Sequence, residues 1–392
     1  MSTQSAGRTI WFILVPLLLV VGLGVLALWG IRSFLTPIQY DTPTELADVP
    51  LQLPSAPSSL VWSADGSYVA AGTSGLPGEV YIVDMAKKSV RTKLEVKSGV
   101  EGLAFSPDGK WLAVGTRPSI PAGAAPVELV VFDVPAFTAK FTSKATGTET
   151  GFIDLAWAAD GKSLHAIEGP VENGQGKVEV RRWDVPAFTE QPANRAPQLD
   201  QSVALAVSPD GRTLALGEQG AGKTSLLIRL FDLGKGAEQS SFKIDDSFHP
   251  PRLGFTADGK AVGVFDTIRL SWWDVGTGRP TEPGAARFAV QPAGLSGIRS
   301  QSSFSPDGRW QAWGYEQHRG LGDLGWDFRE KEFGSFVKVT ESATAKTRTW
   351  RVSDAQLAAP VVAFSPDGTK LAGVVTQTQP NGAAIVIWAV PK

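Results

Sequence analysis

The chain has 392 residues, of which 43% are apolar and 19% are charged, and its formal net charge at pH 7 is −2. This composition is typical of a globular protein, excludes a wholly disordered chain, and gives no electrostatic reason to expect a nucleic-acid partner. The absence of cysteine excludes disulfides, thiolate metal sites and cysteine nucleophiles, and the 42 glycines and 27 prolines favour many short strands joined by turns.

The first predicted element follows a short N-terminal tail, residues 1–9. Residues 10–31 contain no charged side chain, and a helix of that length, at about 1.5 Å per residue, is long enough to cross the core of a bilayer. Trp11 and Trp29 lie near its two ends, where indole rings favour the interface between lipid and water. We therefore expect a single transmembrane helix over residues 10–31 that contacts the lipid bilayer.

A cleaved signal peptide is the alternative interpretation of the same segment. Arg8 would supply its charged region, residues 10–21 its apolar core, and Val25 with Ala27 a tolerable cleavage site. The apolar run continues beyond Ala27 to Ile31, which favours an uncleaved anchor.

The residues that flank the apolar segment predict its orientation. Arg8 and the terminal amine precede the segment, and Arg32 follows it at the start of a Pro-containing linker, residues 32–45. Cytoplasmic flanks of transmembrane helices carry the excess of lysine and arginine. The N-terminal flank has one positive charge more than the C-terminal flank. This difference predicts a single-pass membrane protein with residues 1–9 in the cytoplasm and the chain after residue 31 outside it.

A tetrapeptide that ends in Asp-Gly recurs seven times after the linker, at intervals of about 50 residues. It reads Ser-Pro-Asp-Gly at residues 106–109 and Ala-Ala-Asp-Gly at residues 158–161. The aspartates of the seven copies are Asp65, Asp108, Asp160, Asp210, Asp258, Asp307 and Asp367.

Each copy has the same order of elements. A short apolar strand, such as residues 103–105, precedes an Asp-Gly turn, in which glycine accepts a positive φ. A second strand, a third strand that often ends in an aromatic or apolar residue followed by aspartate, and a more polar fourth strand complete the unit. Four strands in each of seven units predict an all-β fold, a seven-bladed β-propeller over residues 46–392.

The chain resembles the WD-repeat family, including the bacterial propellers whose repeats carry Ser-Pro-Asp-Gly. Trp183-Asp184 and Trp273-Asp274 are the two literal Trp-Asp pairs. The Gly-His element of many such repeats is missing, and the seventh copy ends in Trp388-Ala389, so the resemblance gives no reason to expect a buried Asp–His network. It implies a ring that binds protein partners through the loops at the ends of its blades.

The seventh repeat lacks residues for a fourth strand. Its third strand, residues 384–390, lies almost at the end of the sequence, whereas residues 46–53 precede the first strand of the first repeat. We expect residues 46–53 to supply the missing outer strand and to close the ring, with Pro50 tolerated on an edge strand.

Candidate chemical motifs are few. Residues 217–224 fit the phosphate-binding pattern GxxxxGK(S/T), but that loop requires a preceding parallel strand and a following helix. Here a strand pattern, residues 225–232, follows, so we interpret the match as a glycine-rich hairpin turn. His165 lies inside a predicted strand, and His318 lies in a loop. We expect no catalytic residues, no cofactor and no metal site.

The sixth repeat contains the candidate contact surface. If its third and fourth strands are residues 334–341 and 347–352, residues 316–333 remain as a long loop rich in aromatic and charged side chains. Tryptophan and arginine are frequent at binding hot spots. The candidate partner contacts are Arg319, Leu321, Leu324, Trp326, Phe328 and Arg329. The alternative is that Trp326 and Phe328 fold back and cap their own blade.

The sequence favours a membrane-anchored propeller that acts as a non-catalytic protein-interaction scaffold or assembly subunit within a membrane complex. The alternative is an extracytoplasmic enzyme or small-ligand binder that uses the central channel, which requires several polar side chains to converge there. Fold alone does not decide between these functions.

Overall fold

The computed structural model describes residues 40–52, 57–118, 125–147, 150–170, 178–191, 202–219, 225–245, 252–265, 270–282, 294–295, 302–317, 334–342, 344, 346–353, 360–376 and 382–391. The chain divides into two units. The larger comprises Asp41–Gln317 and Gly334–Lys392, and the smaller, Met1–Tyr40 with His318–Phe333, lies outside the described residues except for Tyr40. The predicted anchor, residues 10–31, is therefore not described, and within the described ranges no helix is long and apolar enough to cross a membrane.

The described residues of the larger unit form seven antiparallel sheets, as expected for a seven-bladed propeller. Blade one consists of β2 (Pro57–Trp62), β3 (Tyr68–Thr73), β4 (Gly78–Asp84) and β5 (Ser89–Val96). Blade two consists of β6 (Val100–Phe105), β7 (Trp111–Thr116), β8 (Glu128–Asp133) and β9 (Ala139–Lys144). Blade three consists of β10 (Thr150–Trp157), β11 (Ser163–Pro170), β12 (Glu179–Asp184) and β13 (Thr189–Gln191).

The remaining blades follow the same order. Blade four consists of β14 (Ser202–Val207), β15 (Thr213–Gln219), β16 (Ser225–Asp232) and β17 (Ala237–Asp245). Blade five consists of β18 (Arg252–Phe255), β19 (Ala261–Phe265), β20 (Leu270–Asp274) and β21 (Pro280–Thr281); β22 (Gly294–Leu295) follows it. Blade six consists of β23 (Ser302–Phe304), β24 (Trp310–Gln317), β25 (Gly334–Glu341) and β26 (Thr347–Ser353). Blade seven contains β27 (Val361–Phe364), β28 (Lys370–Thr376) and β29 (Gly382–Ala389). The strands β25 and β26 confirm the predicted third and fourth strands of repeat six.

The Asp-Gly turns join the first two strands of each blade through one set of hydrogen bonds. In blade two, Ser106 Oγ donates to Asp108 Oδ1 at 2.6 Å and accepts from the backbone N–H of Trp111 at 3.0 Å. Asp108 Oδ1 also accepts from the N–H of Lys110. Gly109 has a φ of 70°, which glycine adopts without strain. The tetrapeptide is thus a self-contained hairpin connection, which explains its recurrence.

The turn of blade three lacks one of these components. Ala158 occupies the position that holds serine or threonine in the six other copies. Asp160 accordingly accepts from the N–H of Lys162 at 2.9 Å and has no hydroxyl donor two residues before it. The hairpin still forms, because Gly161 keeps the same backbone conformation, with a φ of 69°.

The core of the ring lies between neighbouring blades. In the described part of the chain, each of the seven interfaces has its own cluster of buried apolar side chains. Indole N–H groups also connect blades, since Trp157 Nε1 donates to the carbonyl of Ala104 in blade two at 3.0 Å. Trp62 Nε1 donates in the same way to the carbonyl of Ala363 in blade seven, at 2.9 Å.

Blade seven combines strands from distant parts of the sequence. The strand β1 (Glu45–Gln52) pairs antiparallel with β29 and is the outer strand of this sheet. Its side chains alternate, so Ala47, Val49 and Leu51 are buried in the cluster between blades seven and one. The strand lies one residue earlier at each end than residues 46–53, the segment expected from the sequence.

Candidate functional site

The aspartates of the Asp-Gly turns serve the turns themselves. The hydroxyl of Ser208 lowers the pKa of Asp210, and that of Thr256 lowers the pKa of Asp258, because each donates a hydrogen bond to the carboxylate. Over the described ranges, no group of three or more histidine, aspartate or glutamate side chains is arranged to hold a metal ion. We therefore assign these carboxylates to hairpin formation.

His165 lies within β11, with 1% of its surface exposed. Its Nε2 is 3.0 Å from Ser163 Oγ. Burial lowers the pKa of His165 to about 3, and the charge of Arg182 acts in the same direction. The imidazole is consequently neutral at physiological pH and packed inside the blade, where solvent cannot reach it. His318 lies outside the described residues.

The pattern of residues 217–224 covers the end of one strand and the connection to its antiparallel partner. Residues 217–219 belong to β15, residues 220–224 lie outside the described residues, and β16 begins at Ser225. The strands β15 and β16 pair with each other. A phosphate-binding loop of this pattern needs a helix after it, whose N-terminus faces the phosphate. The strand at this position confirms the interpretation of the segment as a hairpin connection.

The candidate contact residues Arg319, Leu321, Leu324, Trp326, Phe328 and Arg329 all lie outside the described residues. The strands on either side are described: β24 ends at Gln317, and β25 begins at Gly334 and pairs with it. The Asp-Gly turn precedes β24, so the paired residues Gln317 and Gly334 lie at the opposite end of that strand.

The centre of the ring is where the alternative function, a channel site, would lie. The first strands of neighbouring blades contact one another around this centre, including β6 with β2 and with β10. The inner edge of β6 is occupied by the chain itself, since Gly294 pairs with Leu103 and Leu295 pairs with Gly102. This edge of blade two is thus unavailable to another strand.

In the neighbouring blade three, a carboxylate connects inner strands of adjacent blades. Asp154 lies in β10 of blade three, with 4% of its surface exposed. Its Oδ1 accepts from the N–H of Leu155, and its Oδ2 accepts from the N–H of Leu205 in blade four, both at 2.8 Å. One side chain therefore connects two inner strands through backbone hydrogen bonds.

Arg252, in β18 of blade five, is the charged residue that acts on Asp154. Burial raises the pKa of Asp154 to about 7, and the two N–H donors and the positive charge of Arg252 act against this rise. Burial lowers the pKa of Arg252 to about 10, and the negative charge of Asp154 acts against this decrease. Both side chains are buried, so we assign the pair to the packing of blades three to five rather than to binding a solute.

Sequence reasoning missed this pair, although the repeats contain an indication of it. In each copy, the position four residues before the tetrapeptide lies on the first strand or next to it. Asp154 and Arg252 occupy this position in blades three and five. The five other copies hold uncharged residues there, namely Ser59, Gly102, Ala204, Gln301 and Val361. Aligning the copies on their aspartates would have revealed both charges.

Comparison with known proteins gives a local match on this ring. Residues 88–119 match the family model of the WD domain, G-beta repeat. The matched segment runs from the outer strand of blade one to the second strand of blade two. Similarity to WD repeats is therefore shown for this segment, and the seven sheets place it within a propeller.

Two curated relatives match about a third of the chain. The small ribosomal subunit protein RACK1 of Candida albicans is 33% identical over 128 residues, which cover 33% of this chain and 37% of that protein. The small ribosomal subunit protein RACK1y of Oryza sativa subsp. japonica is 29% identical over 126 residues, which cover 32% of this chain and 34% of that protein. The aligned segments thus span about a third of these relatives.

A solved structure extends the likeness of fold to most of the chain. The crystal structure of the β-propeller domain of Myceliophteria thermophila Cps50 (Swd1) matches with a TM-score of 0.54 over 89% of this chain and 100% of that chain. The sequences are 14% identical, so the likeness concerns the fold.

Proposed function

We propose that the chain is a membrane-anchored propeller that acts as a non-catalytic protein-interaction scaffold or assembly subunit. The observation that carries this proposal is the WD-repeat match at residues 88–119, located within a ring of seven sheets. In propellers, the side chains of the strands pack between blades, so the loops at the ends of the strands are the regions that bind partners.

The membrane anchor is residues 10–31, and the supporting observation is their uninterrupted apolar sequence. The positive flank at Arg8 favours a cytoplasmic N-terminus and a propeller outside the cytoplasm. An export-dependent reporter enzyme fused after Lys392 should then be active. A tag before residue 10 that remains on the membrane-bound chain would distinguish an anchor from a cleaved signal peptide.

The contact surface of this scaffold is the long loop of blade six, with Trp326 and Phe328 as its aromatic anchors. Three aromatic side chains lie in residues 318–333 among charges of both signs, a composition that favours a binding surface. The two described residues that flank the loop, Gln317 and Gly334, pair with each other at the end of β24 away from its Asp-Gly turn.

Affinity capture of the full chain from detergent-solubilised membranes tests this surface. We expect the double substitution Trp326→Ala with Phe328→Ala to abolish a specific co-purifying protein without changing the melting temperature. The matched control is Lys162→Ala with Lys260→Ala, two exposed residues of the Asp-Gly turns. A lower melting temperature with the partner retained would instead assign Trp326 and Phe328 to capping their own blade.

A further inference from the structure

A cleft of about 350 Å³ lies on the outer edge of the ring between blades one and two. Its walls are the turn and outer strand of blade one, including Lys87, Ser89, Arg91 and Thr92, and the turn of blade two at Ala136. These residues belong neither to the loop of blade six nor to the channel. The cleft is therefore a separate surface on the described part of the chain.

Arg91 is directed by a β-bulge in the outer strand. Val83 pairs with Val90 and Ile82 pairs with Thr92, so Arg91 is the extra residue between the two pairs. Bulges redirect side chains and are common beside functional sites. The sequence pattern of strand β5 alone does not reveal this position.

The redirected guanidinium contacts Tyr68 of blade one and the turn of blade two. Its central carbon lies 5.8 Å from the ring centroid of Tyr68 and 5.9 Å from that of Phe137. Arg91 Nη2 donates to the carbonyl of Pro135 at 2.9 Å. A guanidinium has five N–H donors, so most of its donors remain for a ligand. Stacking on aromatic rings also fixes the orientation of the group, which lowers the entropic cost of binding.

The charge of Arg91 has no ion-pair partner among the described carboxylates. The equivalent bulge residue of blade two, Lys140, lies 3.5 Å from Asp133 Oδ2. Asp84 also lines the cleft, but its Oδ1 accepts the N–H groups of Ala86 and Lys87, and its Oδ2 lies 3.8 Å from Lys87 Nζ, so the charges of Asp84 and Lys87 offset each other. The cleft thus presents one positive group without a carboxylate partner, Arg91, and the hydroxyls of Ser89 and Thr92.

An apolar side chain lies beside this positive group. Val90, which precedes Arg91 and also lines the cleft, is 38% exposed. An extended peptide could therefore pair a carboxylate with the guanidinium and place an apolar neighbour beside it.

We propose that this cleft binds an acidic segment of a partner protein, with a carboxylate on Arg91 and the hydroxyls of Ser89 and Thr92 beside it. The proposal rests on the proposed function as a protein-interaction scaffold, and it adds a second contact surface with a defined ligand chemistry. Arginine suits this role because its planar fork matches the two oxygens of a carboxylate.

Fluorescence anisotropy of the full chain in detergent, with fluorescein-labelled deca-glutamate as the probe, tests the cleft. We expect saturable binding that weakens as salt is raised, because exposed charges are screened. Arg91→Gln should weaken this binding about tenfold, the effect of losing one charge-assisted contact. Lys140→Gln, at the bulge of blade two, is the matched control and should leave the affinity unchanged. Arg91→Lys should retain part of the affinity.

Three results would overturn the proposal: no saturable binding of deca-glutamate, equal weakening by Arg91→Gln and Lys140→Gln, or binding to phosphatidylglycerol vesicles in place of the peptide. The affinities are compared only between variants whose melting curves coincide with that of the native chain. If Arg91→Gln is less stable, Arg91→Lys is the folded variant used in its place. Failure here leaves the capture experiment with Trp326→Ala and Phe328→Ala unaffected, so the two proposals are separable.

Discussion

Asp154 couples a protonation equilibrium to the packing of three blades. Burial raises its folded pKa to about 7, whereas the ordinary value is 3.8. Because the folded pKa is the higher one, the folded state holds the proton more tightly than the unfolded chain. The stabilisation that results is complete below about pH 4 and is lost as the pH rises through 7.

We expect Asp154→Asn to remove this pH dependence, because the amide does not ionise. From pH 5 to pH 8, the native chain should lose about 2 kcal/mol of unfolding free energy relative to the variant. Urea denaturation of both proteins at the two pH values measures the difference. Asp48→Asn, at an exposed position of β1, is the control and should follow the native chain. Parallel pH profiles for the native chain and Asp154→Asn would show that Asp154 does not titrate in this range.

Individual contacts between blades were beyond sequence reasoning. Asp154 reaches Leu205, and the Arg91 guanidinium reaches Pro135, across distances in the chain that no local pattern encodes. The contact of Arg91 further depends on a bulge, which shifts the strand register by one residue. The candidate residues of the blade six loop remain predictions, since they lie outside the described residues.

At the scale of the element, the hairpins were predictable because their determinants are local. Serine, aspartate and glycine within four residues, such as Ser106, Asp108 and Gly109, supply the hydroxyl, the carboxylate and the positive φ of the turn. The four-strand unit follows from the spacing between such turns. The limits of the strands depend on pairing with neighbours, which explains why the strand expected at residues 384–390 is Gly382–Ala389.

The natural variation between copies provides a test of the turn. Ser106→Ala should lower the free energy of unfolding by about 1 to 2 kcal/mol, because the N–H of Trp111 and the carboxylate of Asp108 both lose their hydroxyl partner. Ala158→Ser should raise it by about 1 kcal/mol, since the new hydroxyl can donate to Asp160 and accept from the N–H of Ser163.

Chemical denaturation of the two variants measures both changes. Opposite signs would support the assignment of the hydroxyl to the turn, whereas destabilisation by Ala158→Ser would mean that blade three has no space for the added oxygen.

At the scale of the whole molecule, blade seven determines whether the ring closes. Leu51 in β1 is 3% exposed and packs between blades seven and one. We expect Leu51→Ala to cost about 3 kcal/mol of unfolding free energy, the usual effect of truncating a buried leucine.

Deleting residues 44–52 should lower the melting temperature sharply, because β29 then loses its outer partner. Asp48→Ala, on the exposed side of the same strand, should change stability by less than about 0.5 kcal/mol. An unchanged melting curve for the deletion would show that the ring does not depend on β1.

The pairing of β1 with β29 also sets an order of events during synthesis. The ribosome produces β1 first and β29 only after six other blades, so β1 emerges long before its partner exists. Until then the nascent chain exposes an unpaired strand whose side chains Ala47, Val49 and Leu51 are apolar. Such edges recruit other strands and promote aggregation. A chain that terminates after β1 but before Gly382 therefore lacks the partner strand of β1 and leaves the apolar side chains of β1 exposed. Chaperones and proteases recognise chains of this kind.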